Sequence, residues 1–375
     1  MIYFDSAATT FQKPPAVAAA VEDALRTMSS PGRGGYPAAM RAADTAFACR
    51  NELAELYHAG SPEQVVFTLN ATHALNLAIK SLVPPGGQAV VSGYEHNAVT
   101  RPLAALGARI DVAAGPLFQP AAVTEAFHRM ITPDTDAVIC NHISNVFGFV
   151  QPVEDIAALC RQRGVPLIVD ASQSAAILPL DMTALGAAFV AMPGHKGLYG
   201  PQGTGVLLCG EGQKTSTLLE GGTGSQSIQQ SMPEFLPDRL EAGTHNMPGI
   251  AGLLAGVRFV RRQGLDAICR KERRLAQLAA EGLRTIPGVH VWATPDLTAQ
   301  AGVVSFTADG WDVEELAGAL GEREIAVRAG LHCAPLAHRT VGTLESGTVR
   351  LSFSAMNTPG EVCRFLAILR KLSRG

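Results

Sequence analysis

The sequence lacks the features that mark several common classes of protein. It has no cluster of basic residues, and 30 Lys and Arg against 33 Asp and Glu give a net charge of −3, so we expect no nucleic-acid partner. No apolar run approaches the ~20 residues that cross a bilayer, and the opening residues MIYFDSAATT show no secretory signal. Seven scattered cysteines without a CxxC pair predict reduced thiols in a cytoplasmic protein. Because no apolar run is long enough to cross a bilayer, we also expect no membrane partner.

Motifs for nucleotides, hydrolytic serines and zinc are missing as well. The chain has no GxGxxG segment after a first strand, no GxxxxGK[ST] loop and no GxSxG turn. Its ten histidines include no HxxxH pair on a helix, so we expect no metal site. A metal-dependent hydrolase therefore stays only as a distant alternative.

The segment between about residues 60 and 210 shows the alternation of strands and helices that is typical of a mostly parallel sheet. Short apolar runs alternate there with amphipathic stretches of helical period, as in βα units. We predict strands at 64–68, 89–92, 109–113, 137–141, 167–170, 187–191 and 206–209, with helices at 72–82, 97–106, 120–130 and 153–163. After about residue 250, two long helical patterns and several strand-like runs predict a smaller α+β unit.

Residues at two neighbouring predicted strand ends suggest a cofactor. Asp170 ends one buried strand, with Gln173 three residues on, and Lys196 follows the next strand in a turn that contains Pro193 and Gly194. Ligands of open α/β sheets bind outside the carboxyl ends of the strands. A lysine can bind the aldehyde of pyridoxal 5′-phosphate, and an ionised aspartate keeps the pyridine nitrogen protonated. From this pair alone, a solvated surface lysine is the commoner interpretation.

Eight ordered sequence blocks strengthen the cofactor hypothesis. They are YFDSAAT at 3–9, YEHNA at 94–98, HISNVFG at 142–148, VDASQ at 169–173, GHK at 194–196, EAGTHN at 241–246, VRAGLHCAP at 327–335 and VRLS at 349–352. With these blocks the whole chain resembles the cysteine desulfurases of the class V aminotransferase family, particularly the group of the SufS enzymes and selenocysteine lyase. The resemblance implies an α/β fold of type I with a mostly parallel seven-stranded sheet. It also implies a large domain at 15–250, a small domain at 1–14 and 251–375, and a homodimer.

The resemblance assigns the residues that hold pyridoxal 5′-phosphate. Lys196 would form the Schiff base, Asp170 would pair with the pyridinium nitrogen, and Gln173 would bond to the phenolic oxygen. His96 would stack on the ring and shuttle protons, and Asn145 would lie on the substrate side. The phosphate site, at the start of a helix, would consist of Ala71, Thr72, His195 and, from the second subunit, Thr244.

The resemblance also assigns the substrate and the nucleophile. Arg350 would bind the α-carboxylate with its bidentate guanidinium, assisted by Arg328 and Asn145. Cys333 lies beside His332 and close to Arg328, and such cationic groups favour a thiolate. In the implied reaction, L-cysteine passes its sulfur to Cys333 as a persulfide and leaves as L-alanine. An acceptor thiol or protein would then take the sulfur.

Other functions and some departures from the family pattern stand beside this hypothesis. A selenocysteine lyase, another β-lyase, an epimerase, an aminotransferase or a non-catalytic sulfur-relay protein would share much of the pattern. Pro193 stands where the group has Ser, Ala71 where it has Thr, and Met356 where it has Tyr. The loop at 31–36 keeps Arg33 but lacks the flanking histidines. These departures predict fewer hydrogen bonds to the cofactor phosphate, and they leave strict membership of the SufS group open.

Overall fold

The structure, a computed structural model, describes residues 1–32 and 34–373, so Arg33 lies outside the described residues. In these ranges the helices are α1 (Pro15–Thr27), α2 (Pro37–Tyr57), α3 (Ala71–Leu82), α4 (Asn97–Ala105), α5 (Pro120–Met130), α6 (Val153–Arg163), α7 (Met182–Leu185), α8 (Met247–Gln263), α9 (Leu265–Arg284), α10 (Val313–Gly321), α11 (Pro335–Val341) and α12 (Pro359–Leu372). The strands are β1 (Ile2–Tyr3), β2 (Val65–Thr68), β3 (Gln88–Ser92), β4 (Arg109–Ala113), β5 (Ala137–Asn141), β6 (Leu167–Asp170), β7 (Phe189–Pro193), β8 (Gly205–Cys209), β9 (Val289–Trp292), β10 (Val303–Ala308), β11 (Ile325–Ala326), β12 (Arg328–Gly330) and β13 (Thr348–Ser352).

A seven-stranded sheet with the order β2-β8-β7-β6-β5-β3-β4 forms the centre of the larger unit. The strands from β7 to β4 run parallel, and β8 runs antiparallel to both its neighbours. Successive residues of a strand face opposite sides of the sheet, so Val90 and Val138 join one apolar core while Val91 and Ile139 join another. Apolar residues on both faces are typical of a parallel sheet covered by helices. The predicted α/β fold with a mostly parallel seven-stranded sheet is confirmed.

A second sheet, antiparallel and of the order β12-β13-β10-β9, has its own core with α9, α10 and α12. Ile2 and Phe4 belong to this second core, although they stand at the other end of the chain. The packing changes within α9, because Cys269 belongs to the first core and Leu275 to the second. The division into domains at 15–250 and at 1–14 with 251–375 remains our proposal.

The sequence patterns located most elements between residues 60 and 210. The helices predicted at 120–130 and 153–163 coincide with α5 and α6. Strand β7 begins two residues later than predicted, because Gly186 adopts a φ of 63° at the end of α7 and the Ala187 N–H still bonds to Met182 O. Helices α1 and α2 were not predicted. Among the described residues, no helix combines the length and apolar character needed to cross a membrane.

A buried ion pair joins α2 to the larger sheet. The Nη2 atom of Arg50 lies 2.6 Å from Oε2 of Glu241, and Nη1 lies 2.8 Å from Oε1. Glu241 also accepts from the backbone N–H of Phe67 on β2 and from the ring of His245. Burial opposes ionisation of Glu241, but the hydrogen bonds from His245 and Arg50 lower the pKa of this carboxyl. The carboxylate is therefore stable only with its partners.

We predict that Arg50→Met destabilises the protein by about 3 kcal/mol or more, because it removes the guanidinium that pairs with the buried Glu241 carboxylate. The double variant Arg50→Met/Glu241→Gln should recover part of that loss, since the amide still accepts from Phe67 without carrying a charge. Urea midpoints of the cofactor-free proteins measure both effects. A single variant as stable as the wild type would contradict the prediction.

Candidate active site

A cavity lies at the carboxyl ends of β5, β6 and β7. Counted out to its open mouth, its volume is about 540 Å³. The residues that line it are Asn70, Ala71, Thr72, His96, Ala98, Asn141, Ile143, Asn145, Asp170, Ser172, Gln173, Pro193, His195 and Lys196. The structure thus brings together, around one cavity, nearly all the cofactor-binding residues that the sequence predicted.

Asp170 is positioned by the parallel sheet. It is the last residue of β6, pairs in register with Asn141 at the end of β5 and is 4% exposed. Its Oδ1 atom accepts a hydrogen bond of 2.8 Å from the backbone N–H of Ser172. The described side chains give its second oxygen no hydrogen-bond donor, so this oxygen is free to bind a protonated ring nitrogen.

Lys196 is half-buried and lines the same cavity as that carboxylate. It follows β7 in the turn Gly194-His195-Lys196, which is tight because Gly194 N–H bonds to Thr204 O and Gly200 N–H bonds back to Gly194 O. Burial lowers the pKa of the Lys196 amine to about 8, although the charge of Asp170 works in the opposite direction. An amine with a pKa near neutrality is the form needed to attack a carbonyl or to remove a proton.

Two neutral histidines face the same cavity. His96 is the N-cap of α4, and its Nδ1 accepts from the Ala98 N–H at 3.0 Å, so its proton lies on Nε2. Burial, together with the positive charge of Lys196, lowers the pKa of His96, although Asp170 raises it. Burial lowers the pKa of His195 to about 4, and its Nδ1 lies 3.0 Å from Thr9 Oγ1.

The start of α3 offers an anion site at the cavity edge. Asn70 is the N-cap and accepts from the His73 N–H at 2.9 Å. The N–H groups of Ala71 and Thr72 belong to the first helical turn, where no carbonyl four residues back is available. Such free N–H groups and the helix dipole favour a phosphate. Pro193 lines the same cavity and supplies neither a hydroxyl nor an N–H, as expected from its departure from the family pattern.

Asn145 and Gln173 connect the cavity to other parts of the chain. The Asn145 Nδ2 donates to His332 O at 2.8 Å, whereas its Oδ1 is buried without a hydrogen-bond partner. The Gln173 Nε2 donates to Ala7 O at 2.9 Å, which leaves its second N–H for a ligand. An unpartnered buried oxygen and a spare amide proton are both suited to contacting a bound group.

Arg350 and Arg328 both bond to the carboxylate of Asp5, a residue that the sequence analysis did not identify as part of the site. Arg350 is 2% exposed, and its Nη2 lies 2.8 Å from Oδ1 of Asp5. Arg328 donates to Oδ2 of Asp5 from Nε at 3.0 Å and from Nη2 at 2.8 Å. Asp5 stands in the first of the eight sequence blocks, but no residue spacing connects it to arginines more than 300 positions away.

The segment with Cys333 lies against the residues around the cavity. Cys333 is exposed, and its carbonyl accepts from the N–H of Asn97, next to His96, at 2.7 Å. The preceding carbonyl, that of His332, accepts from Asn145. Hydrogen bonds to Asp5 raise the pKa of Arg328, and Cys333 contributes to that shift. The proximity of Cys333 and Arg328 that the sequence suggests remains a prediction.

Thr244 is the one predicted phosphate ligand that this cavity does not include. It lines a neighbouring cavity with Leu69, His73 and Leu219. The sequence resemblance assigns Thr244 to the cofactor site of the second subunit. The structure describes one chain, so this assignment remains a prediction.

The residues present fit pyridoxal 5′-phosphate. The cavity combines a buried amine of lowered pKa, an aspartate with a free oxygen, a neutral imidazole and a helix start for a phosphate, which is the donor set that this cofactor needs. In residues 1–32 and 34–373, no three His, Cys, Asp or Glu side chains are grouped so as to hold a metal ion.

Comparisons with known proteins agree with this chemistry. The family model of the class-V aminotransferases matches residues 2–365. A "Probable cysteine desulfurase" of Xylella fastidiosa is 35% identical, with 100% of this chain and 91% of that protein covered. Another of the same name, from Mycolicibacterium paratuberculosis, is 34% identical, and the chain spans 56% of its length. The apo structure of a cysteine desulfurase from Thermococcus onnurineus superposes with a TM-score of 0.89 at 30% identity, covering 100% of this chain and 95% of that one.

We predict that the apo-protein takes up pyridoxal phosphate covalently at a rate that rises with pH and levels off near pH 8, the pKa of the Lys196 amine. An ordinary lysine, with a pKa of about 10.4, would give an uptake rate that continues to rise at pH values well above 8. Absorbance during reconstitution at a series of pH values measures the profile. A continued rise would contradict the prediction.

The variant Asp170→Asn should shift that profile to lower pH, because Asp170 is the larger of the two negative charges that raise the Lys196 pKa. The exposed Asp134 provides the matched control, and Asp134→Asn should leave the profile unchanged.

Proposed function

The chain belongs to the class-V aminotransferase family, and we propose that it is a pyridoxal-phosphate-dependent cysteine desulfurase that converts L-cysteine to L-alanine and leaves the sulfur on Cys333. One observation carries the assignment of Cys333. Two adjacent carbonyls of its segment, those of His332 and Cys333, bond to Asn145 and Asn97 at the edge of the Lys196 cavity. The segment that carries the exposed thiol is thereby held against residues that border the cavity.

The residues of the cavity have distinct tasks in this reaction. When bound, pyridoxal phosphate supplies an electron sink that stabilises negative charge at the substrate Cα. Lys196, whose pKa is about 8, holds and moves the Cα proton as a neutral amine. Asp170 would pair with the ring nitrogen, and His96 presents an N–H at Nε2. Arg350 binds the substrate α-carboxylate as a planar guanidinium fork.

Cys333 completes the proposed reaction as the nucleophile. Its thiolate attacks the sulfur of the substrate, the Cβ–S bond breaks and an S–S bond forms. The electron pair of the broken bond remains with the substrate carbon, which takes up a proton and leaves as L-alanine. The product on the enzyme is the Cys333 persulfide, so the overall reaction is balanced without an external oxidant or reductant.

The persulfide must be passed on, and the exposure of Cys333 supports transfer to a thiol of a second molecule. All seven cysteines are free, which fits a reducing compartment and supports a cytoplasmic location. Cell fractionation tests that location, and recovery with a membrane or secreted fraction would contradict it.

We predict that Cys333→Ala abolishes the formation of L-alanine from L-cysteine in the presence of excess reductant, because the sulfur has no acceptor. Cys363, the other exposed cysteine, provides the matched control, and Cys363→Ala should retain full activity. Product formation by the pyridoxal-loaded proteins is measured by amino-acid analysis. Full activity of Cys333→Ala would refute the assignment, and activity of this variant on L-selenocysteine alone would favour the lyase alternative.

The proposed enzyme is a homodimer that places Thr244 near the cofactor site of the second subunit. The exposed Leu69 and Leu219, each 59% accessible, line the cavity that contains Thr244 and support an apolar contact there. We predict that the wild type sediments as a dimer and that Leu69→Asp/Leu219→Asp sediments as a monomer. Leu297→Asp, on an exposed loop of the second unit, is the control that should stay dimeric. A monomeric wild type would refute the proposal.

A further inference from the structure

The carboxylate of Asp5 lies between two guanidinium groups. Its Oδ1 atom bonds to Nη2 of Arg350 at 2.8 Å, and its Oδ2 atom bonds to Nε and Nη2 of Arg328 at 3.0 and 2.8 Å. Asp5 is itself 7% exposed. One negative and two positive groups leave a net charge of one positive unit at this place. That excess matches the single negative charge of an amino-acid carboxylate.

Asp5 is the negatively charged partner of the buried Arg350. Burial lowers the pKa of Arg350, and Asp5 acts against this effect. Its other hydrogen bond, from Nη1 to Asn145 O at 2.9 Å, goes to a neutral carbonyl, and its Nε is buried without a partner. Without Asp5, two guanidinium groups would face each other unscreened, and a buried charge that has lost its partner is costly.

The chain around Asp5 is held in place by strand β13 and by the turn that follows β6. On one side, Ser352 N–H on β13 bonds to Phe4 O at 2.8 Å, and the Ala7 N–H bonds to Ser352 Oγ at 2.8 Å. On the other side, Gln173 of the cofactor cavity bonds to Ala7 O. The chain around Asp5 therefore fixes the distance between the arginines and the cofactor cavity.

We propose that Asp5 is a positioning residue that holds Arg350 and Arg328 in the geometry that binds the substrate α-carboxylate. It acts through the two arginines and touches no reacting atom. The inference rests on the proposed function only in taking an α-amino acid as the ligand. It assigns to Asp5 the strength of carboxylate binding and leaves the chemistry at Cα and sulfur to other residues.

The test compares holoenzymes of the wild type, Asp5→Asn and Asp5→Glu. L-alanine is titrated against the cofactor absorbance, and KM and kcat are measured for L-cysteine. We expect Asp5→Asn to weaken L-alanine binding and to raise KM by at least about tenfold, a change of about 1.4 kcal/mol, with a smaller change in kcat. Asp5→Glu, which keeps the charge, should recover part of the loss. Asp309, an exposed residue paired with His290, supplies the control Asp309→Asn.

Hydroxylamine separates positioning from a general structural role. It reacts with the bound cofactor and carries no carboxylate, so Asp5→Asn should react with it at the wild-type rate. Unchanged L-alanine binding in Asp5→Asn would overturn the inference, and so would an equal loss of hydroxylamine reactivity or a wild type that does not respond to L-alanine. If the wild type binds L-alanine but forms none from L-cysteine, the proposed function fails while the titration still decides the role of Asp5.

Discussion

Burial of a single amine, that of Lys196, is the constraint on which the rest of the site depends. Removing a charge from water disfavours the charged form, and here it lowers the pKa of the amine to about 8. The parallel sheet makes this burial possible, because the ends of β5, β6 and β7 bring Asn141, Asp170 and the Lys196 turn to one edge. Asp170 keeps the amine from becoming too weak a base. The pKa of the amine therefore reflects two opposing effects, its removal from water and the nearby charge of Asp170.

The thiol of Cys333 has the opposite environment. It is exposed, and both His332 and Cys333 adopt left-handed backbone conformations, with φ of 50° and 56°. Such conformations are uncommon for residues other than glycine and persist where the surroundings hold them. The hydrogen bonds to Asn97 and Asn145 do so here. The accessible thiol is thus carried by a segment that is hydrogen-bonded to residues bordering the cavity, an arrangement that suits the proposed transfer of sulfur to a second molecule.

Local patterns in the sequence predicted the large sheet and the residues at its edge, because strand periodicity and strand ends are local properties. Asp170 and Lys196 were found in this way, and the resemblance added His96, Asn145 and Cys333. The role of Asp5 was missed, because its contacts with Arg328 and Arg350 join the two ends of the chain. Helices α1 and α2 were missed as well, and both pack against α8, some 200 residues further on. Such contacts are determined by tertiary packing. They cannot be predicted from the local sequence around each residue.

The location of the transferred sulfur tests the account most directly. The pyridoxal-loaded protein is mixed with one equivalent of L-cysteine without reductant, thiols and persulfides are alkylated, and the cysteine-containing peptides are analysed by mass spectrometry. The account predicts one extra sulfur atom on the peptide with Cys333 and none on the peptide with Cys363. L-alanine formed with the extra sulfur on another cysteine, or with no persulfide on the protein, would contradict it.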